Sequence, residues 1–323
     1  MNFIDLMLHQ SLLVSGLSSS LAHDWHPLGH MVLPLGTALK STQEMNLIHA
    51  FILGLVQGLT EFLPISSSAH LKVVPAIFNF SDGGVAYTAI IQLGSIVAVV
   101  WYFWEDLRAI TLGTIEAIKT KRYTSLEFRL AVGIALGTVP IVFGGLLIKL
   151  FVKNYDESPL RSLAAIGIAS IVMSSLLAGA ELLGKRVREF KNLRVIDGIL
   201  MGTAQALALV PGVSRSGSTL TAGLFFGLNR AAAARFSFLL GIPAITLAGL
   251  VELLGVLKKG VSAEIPHLLV GTVSAFIFSY LSIAWLLKFF QTNNTWVFVI
   301  YRLLFGTGIL VALAMGVLKE PVL

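Results

Sequence analysis

Two short segments of the chain interrupt apolar helices with a proline and a run of serines. Residues 57–70 read QGLTEFLPISSSAH, and residues 205–218 read QALALVPGVSRSGS. In each segment an apolar half-helix ends at a proline, one basic or titratable side chain follows among serines, and a new apolar run begins. Hydrocarbon gives broken backbone no hydrogen-bond partner, so breaks at membrane depth must line a polar cavity. We therefore predict that these two segments form the functional site.

Composition places the chain in a membrane. Hydrophobic residues make up 56% of the 323 residues, charged residues 12%, and the mean hydropathy is +0.85. Since a span needs about 20 apolar residues, we predict six transmembrane helices and two re-entrant helical hairpins in an all-α polytopic protein. The predicted spans are 83–104, 128–151, 162–183, 232–256, 266–290 and 297–318, and the predicted hairpins are 46–79 and 196–227.

Basic residues set the predicted orientation. They cluster in two loops, at Arg108, Lys119, Lys121 and Arg122, and at Lys185, Arg186, Arg188, Lys191 and Arg194. The positive-inside bias places both loops in the cytoplasm. One hairpin then enters from outside and the other from inside, which predicts an inverted-topology repeat with halves at about 45–190 and 191–323. The two breaks are expected to meet near the membrane midplane, although Lys258 and Lys259 fall outside in this arrangement.

The remaining features narrow the function classes. Residues 1–44 hold no basic residues before their weak apolar run, so we predict a flexible extension and not a secretory signal. The chain has no cysteine, which excludes disulfides and thiolate metal sites. Its basic residues flank spans without a soluble aromatic-rich domain, so no nucleic-acid partner is predicted. The predicted partners are membrane lipids and a lipid substrate, and the chain can be a monomer or a homodimer.

The first motif predicts binding of a divalent cation and of an anion. Gln57 and Glu61 are four residues apart and share a helix face, where their oxygens suit a hard divalent cation such as Mg²⁺ or Ca²⁺. Ser66, Ser67 and Ser68 stand at the start of the next helix, where free N–H groups bind anions. His70 lies three residues after Ser67, so it is a candidate base towards that hydroxyl or a water. Helix capping by the serines is the structural alternative.

The second motif predicts a phosphate-binding arginine. Arg215 is bracketed by Ser214, Ser216 and Ser218, and Gly212 and Gly217 would let the backbone approach a ligand. A guanidinium at membrane depth needs an anion, and its fork matches phosphate. An ion pair between Arg215 and Glu61 across the two hairpins is a structural alternative that would not exclude substrate binding.

Together these motifs resemble those of the undecaprenyl-diphosphate phosphatase family of the bacitracin-resistance type. The resemblance extends from about Met45 to the C-terminus and rests on residues 58–70 and 211–217. It implies hydrolysis of undecaprenyl diphosphate to the monophosphate and phosphate at the outer side of the bacterial plasma membrane, with a divalent cation. That reaction would recycle the lipid carrier of cell-wall synthesis and confer bacitracin resistance.

The resemblance also implies roles for individual residues. Glu61 is similar to the second acid of the family's acidic pair, and Gln57 stands where many members have glutamate. Ser67 resembles the serine proposed as nucleophile or phosphate contact, His70 the essential histidine, and Arg215 the phosphate-binding arginine. The expected phosphate contacts are Ser66, Ser68, Ser214, Ser216 and Gly217. The alternative function is a secondary transporter or flippase for a phosphorylated lipid or small anion, because inverted repeats with broken helices are typical of transporters.

Overall fold

The computed structural model describes residues 45–152, 155, 158–259 and 265–320, so the predicted N-terminal extension lies outside the described residues. The described part of the chain is all-helical, with eleven α-helices and no β-strand. In chain order they are α1 Leu47–Phe62, α2 Ser67–Phe78, α3 Gly84–Tyr102, α4 Trp104–Lys119, α5 Leu126–Phe151, α6 Leu163–Leu183, α7 Val195–Ala206, α8 Arg215–Phe225, α9 Arg230–Lys259, α10 Ile265–Thr292 and α11 Trp296–Ala314.

Five of these helices, α5, α6, α9, α10 and α11, are long and apolar enough to cross a membrane. A sixth span results if α3 and α4, which meet at a 62° bend, are taken as one broken span. The prediction of a polytopic α-helical membrane protein is confirmed. Outward-facing side chains agree with a lipid surrounding, since α5 exposes a row of large apolar residues, Val139, Phe143, Leu146 and Leu150.

Helix α4 corrects the sequence prediction, which treated Arg108 and Lys119 as loop residues. The chain bends at Phe103 and immediately starts a new helix with Glu105 and Asp106 in its first turn and Lys119 in its last. Acids at the N-terminus and a base at the C-terminus complement the helix dipole, so this segment has local helix signals of its own. An ion pair between Asp106 and Arg235 attaches α4 to α9.

Capping residues and prolines define both broken segments. Asn46 accepts from the His49 amide at 2.8 Å at the start of α1, and α1 ends two residues before Pro64. The backbone then passes through Ser66 with φ of 75°, and the second break passes through Ser214 with φ of 72°. Left-handed φ is uncommon for serine, so each break is a sharp reversal held by its surroundings and not by local preference.

Direct backbone contact between helices brings the broken segments into the bundle. A Cβ on Gly54 of α1 would lie 2.2 Å from the carbonyl oxygen of Gly271 on α10. A Cβ on Gly202 of α7 would lie 2.0 Å from the carbonyl oxygen of Gly137 on α5. Each first half-helix therefore crosses a long helix at glycine, as small residues allow in membrane bundles. Larger side chains at either crossing would push the break outwards.

Some basic residues predicted to lie in a solvated loop are ion-paired. Arg188 binds Asp197 through two nitrogens at 2.9 and 2.5 Å, and the Asp197 carboxylate is 1% exposed. The hydrogen bond to this carboxylate raises the pKa of Arg188, against the opposing effect of partial burial. Arg186 binds Glu181 at 2.5 Å, and Glu181 also accepts from the Thr295 hydroxyl at 2.8 Å. These pairs fasten helix ends, so the loop 184–194 is anchored to the bundle.

Candidate functional site

The two broken segments meet inside the bundle. The Ser216 hydroxyl, just after the second break, donates to the Leu63 carbonyl in the first break at 2.9 Å. The Arg215 guanidinium reaches Glu61 across the same junction, with Nη2 3.4 Å from Oε1. Both of these charged side chains are only 9% exposed. The structure therefore brings the two sequence motifs into one buried polar site.

Glu61 is the centre of the hydrogen bonding at this site. Its Oε2 accepts from the Ser67 hydroxyl at 2.7 Å and from the Gln57 amide at 3.2 Å. The same Gln57 amide lies 3.4 Å from the Ser95 hydroxyl, which accepts from Ser279 at 2.8 Å. A buried polar chain from α3 and α10 thus holds Gln57, and Gln57 holds Glu61. The carboxylate is thus oriented by Gln57 of its own helix, and Gln57 is held by serines on two other helices.

His70 does not bond to Ser67, contrary to the pairing expected from their spacing. Its Nδ1 lies 2.7 Å from the Ser66 carbonyl oxygen, and its Nε2 lies 2.5 Å from the Tyr301 hydroxyl. The ring also stacks on Phe305, with centroids 4.3 Å apart. Both ring nitrogens therefore have hydrogen-bond partners, one in the preceding turn and one on α11. The Ser67 hydroxyl takes Glu61 as its acceptor instead.

The serines at the two breaks differ in what they do. Ser66 precedes α2 but makes no side-chain cap, and its hydroxyl lies 3.1 Å from that of Ser68. Ser214 does cap its helix, since its hydroxyl accepts from the Gly217 amide at 3.1 Å. Helix capping therefore accounts for Ser214 and leaves the start of α2 available to an anion. Ser68 is exposed and Ser67 half-buried, so the first break is the accessible side of the site.

Arg215 has hydrogen-bonding capacity left over. Its Nε and Nη1 are buried and find no partner among the described residues, while Nη2 makes the single long contact with Glu61. The guanidinium lies over the Phe62 ring, 5.8 Å from its centroid, and against α9, where a Cβ on Gly241 would lie 1.8 Å from Nη1. A buried cation with unused donors is suited to bind a further anion.

Arg302 is a site residue that the sequence analysis missed. This side chain is 1% exposed, and it donates from Nη1 to the Pro64 carbonyl at 3.0 Å and from Nη2 to the carbonyls of Gly212 and Val213 at 2.8 and 3.1 Å. One guanidinium on α11 thus ties the tips of both breaks together. An arginine within an otherwise apolar span was the available signal, because charge there is rarely without function.

The donor set fits a divalent cation only in part. No group of three or more histidine, cysteine, aspartate or glutamate side chains occurs within the described ranges. Glu61 supplies one carboxylate, and Gln57 presents its amide nitrogen to Glu61. Mg²⁺ is commonly held by one or two carboxylates together with substrate phosphates and water. The residues present therefore fit a cation shared with a phosphorylated substrate and not one bound by protein ligands alone.

The fold and this site define a polytopic membrane protein with a buried, serine-rich polar site between two broken helices. The chain belongs to the family described as "Bacitracin resistance protein BacA", which matches residues 50–308 and so includes every site residue described above. The resemblance inferred from the two motifs is confirmed.

Several relatives carry the name "Undecaprenyl-diphosphatase". The protein of Synechocystis sp. is 65% identical over 274 residues, which is 84% of this chain and 84% of the relative. Those of Nostoc sp. and Synechococcus elongatus are each 58% identical, over 311 and 284 residues, covering 96% and 88% of this chain and 97% and 99% of the relatives.

Proposed function

We propose that the protein hydrolyses undecaprenyl diphosphate to undecaprenyl phosphate and inorganic phosphate. The observation that carries this proposal is the contact of a serine hydroxyl with a carboxylate beside a buried guanidinium that has two unused donors. The names of the relatives point to the same reaction. The product is the lipid carrier of cell-wall synthesis, so this activity would recycle the carrier and confer bacitracin resistance.

The proposed arrangement in the membrane is an inverted repeat of six spans and two re-entrant hairpins. Three features support it: the equivalent backbone reversals at Ser66 and Ser214, the matching crossings of α1 on α10 and α7 on α5, and the basic clusters at 119–122 and 185–194. We place the protein in the bacterial plasma membrane with the site open to the periplasmic side, because the positive-inside bias makes the first hairpin enter from outside and its Ser67 and Ser68 are accessible. The prenyl tail would remain in lipid.

In the proposed reaction the Ser67 oxygen attacks the terminal phosphorus, and the bond from that phosphorus to the bridging oxygen breaks. Undecaprenyl phosphate leaves, the Ser67 proton passes to Glu61, and water then hydrolyses the phosphoserine. The 2.7 Å contact from Ser67 to Glu61 supports this pairing, and it also fits a water held by the same two groups. His70, bonded to Ser66 and Tyr301, holds the turn that carries Ser67.

The basic and capping groups would stabilise the developing charge. Arg215 offers Nε and Nη1 to phosphate oxygens, and the first turn of α2 offers N–H groups beside Ser66 and Ser68. Ser214, Ser216 and Gly217 form the backbone turn that holds Arg215 in place. Mg²⁺ or Ca²⁺, shared by Glu61, Gln57 and the diphosphate, would supply further positive charge when bound.

Phosphate release from undecaprenyl diphosphate by the purified protein tests the proposal. We expect turnover that a chelator suppresses and that Arg215→Ala lowers by about a hundredfold or more. Ser67→Ala distinguishes the two forms of attack, since it abolishes turnover if Ser67 is the nucleophile and leaves a residual rate if water is.

Proteoliposomes test the transporter alternative: lipid movement across the bilayer without phosphate release would refute hydrolysis. Light scattering of the solubilised protein tests whether it is a homodimer.

A further inference from the structure

Gln205 is a buried amide without a partner. The side chain is 0% exposed, and neither its oxygen nor its nitrogen finds a hydrogen-bond partner among the described residues. Buried polar groups are almost always paired, because an unpaired one loses its hydrogen bonds to water without gaining any within the protein. An apolar side chain of similar size would avoid this loss. A role outside the packing of α7 would account for the glutamine.

Comparison with Gln57 shows why Gln205 lacks a partner. Each glutamine stands nine residues before the serine with positive φ in its break, Ser66 or Ser214. Four residues after Gln57 comes Glu61, which accepts its amide. Four residues after Gln205 comes Leu209, which cannot. The second break therefore has the amide but no acceptor at the equivalent position of its own helix.

The packing of α7 on α8 shows where Gln205 lies. A Cβ on Gly223 would be 3.2 Å from the Met201 side chain, so these two positions face each other across the hairpin. One turn nearer the break on each helix stand Gln205 and Thr219. The Thr219 hydroxyl donates to the Arg215 carbonyl at 2.8 Å, so Thr219 lies one helical turn after the arginine proposed to bind phosphate.

Helix α9 lies along the same level. The Ser237 hydroxyl is 2.5 Å from that of Thr219, and one turn further along α9 the Gly241 backbone lies against Nη1 of Arg215. Helix register therefore places the unpaired amide of Gln205 at the height of Thr219 and Ser237, about one turn from the point where Gly241 meets the unpaired Nη1 of Arg215. An amide can both accept from a guanidinium and donate to an anion, which arginine alone cannot do.

We propose that Gln205 is a further substrate-binding residue, which binds the terminal phosphate of the diphosphate together with Arg215. When the phosphate binds, the Gln205 oxygen accepts from the guanidinium, a hydrogen bond that the free protein does not make, and the amide hydrogens donate to a phosphate oxygen. This assignment rests on the proposed function for the identity of the substrate. The phosphate chemistry itself is common to undecaprenyl diphosphate and inorganic pyrophosphate, so binding is measurable without turnover.

The test is Gln205→Met in the full-length protein, with Met201→Leu as the matched control on the same buried face. Methionine has nearly the volume of glutamine, so thermal stability should stay the same or rise once the unpaired amide is gone. KM for undecaprenyl diphosphate should rise roughly tenfold to a hundredfold, the range for losing a hydrogen bond to a charged group. The control should keep the wild-type KM. A normal KM with lowered stability in Gln205→Met would overturn the proposal and assign Gln205 to packing.

A binding assay separates this inference from the proposed hydrolysis. Inorganic pyrophosphate should raise the melting temperature of the wild type and of Met201→Leu, and should do so much less for Gln205→Met. If the wild type releases no phosphate but shows this pattern, the hydrolysis proposal fails and the binding role of Gln205 stands. If pyrophosphate protects wild type and Gln205→Met equally, the binding role is refuted even where turnover is normal.

Discussion

Replacing Arg302 should separate the two broken helices. Its guanidinium donates to the Pro64 carbonyl in the first break and to the Gly212 and Val213 carbonyls in the second. Arg302→Met keeps most of the side-chain length and removes all of these donors. Arg302→Lys keeps the charge but replaces a planar fork by a single ammonium, which cannot serve both breaks with the same geometry.

The structure sets the size of the effect. Arg302→Met removes the donor from three carbonyls at the breaks, at about 1–3 kcal/mol each, and also removes the longer 3.4 Å bond from Nε to the Ser170 carbonyl. Removing a buried charge returns part of that free energy, so we expect a net destabilisation of about 3 kcal/mol. Activity should suffer more than stability, because a misplacement of about 1 Å between reacting groups costs about a hundredfold in rate. We expect kcat to fall about a hundredfold in Arg302→Met and less in Arg302→Lys.

Phosphate release and thermal unfolding, measured on the same preparations, check this prediction. Ser170→Ala is the matched control, because the Ser170 hydroxyl bonds to the Arg302 backbone carbonyl at 3.1 Å and touches neither break. The control should lose a little stability and keep its kcat. Wild-type kcat in Arg302→Met would refute the reasoning, since the relative position of the two breaks would then not depend on this guanidinium.

Three further predictions concern the contacts of His70, the shared cation and the N-terminal extension. Tyr301→Phe removes the hydroxyl at Nε2 of His70 and should lower kcat about tenfold with little change in unfolding temperature. His70→Ala should lower kcat about a hundredfold. Equal rates in the wild type and Tyr301→Phe would contradict this prediction. Gln57→Glu should lower the Mg²⁺ concentration needed for half-maximal rate and Glu61→Gln should raise it, and coincident metal titrations would refute the shared-cation proposal. Deleting residues 1–44 should leave turnover nearly unchanged, because the family match begins at residue 50 and all site residues follow it; loss of turnover in a folded truncation would assign the extension a role.

Much of the bundle and the central pair of motifs could be predicted from local sequence. Long apolar runs specify spans almost by themselves, and the predicted limits 128–151 and 162–183 lie close to those of α5 and α6. The serine runs after Pro64 and Pro211 located both breaks for an equally local reason, since proline ends a helix and buried backbone needs polar cover.

Contacts between distant helices could not be read from spacing. His70 and Ser67 share a helix turn, yet the hydroxyl of Tyr301, 231 residues further along the chain, decides where the imidazole points. Arg302 lies in an apolar span whose sequence gives no sign of the carbonyls that it binds. Helix α4 was missed because an amphipathic segment after a span resembles a charged loop in composition, and its packing on the bundle decides its structure.

The contact between Arg215 and Glu61 reconciles the structural and functional interpretations of these two residues. Arginine–carboxylate pairs are frequently bidentate and short, whereas this one joins a single nitrogen to a single oxygen at 3.4 Å. Nε and Nη1 of Arg215 stay unused, and Oε2 of Glu61 is already occupied by Ser67 and Gln57. Each of the two buried charges therefore has a partner of opposite sign, and the contact uses only one atom of each side chain. In the proposed reaction a diphosphate takes the unused donors without first breaking the pair, so the contact that pairs the two charges in the free protein would also keep the guanidinium oriented for that diphosphate.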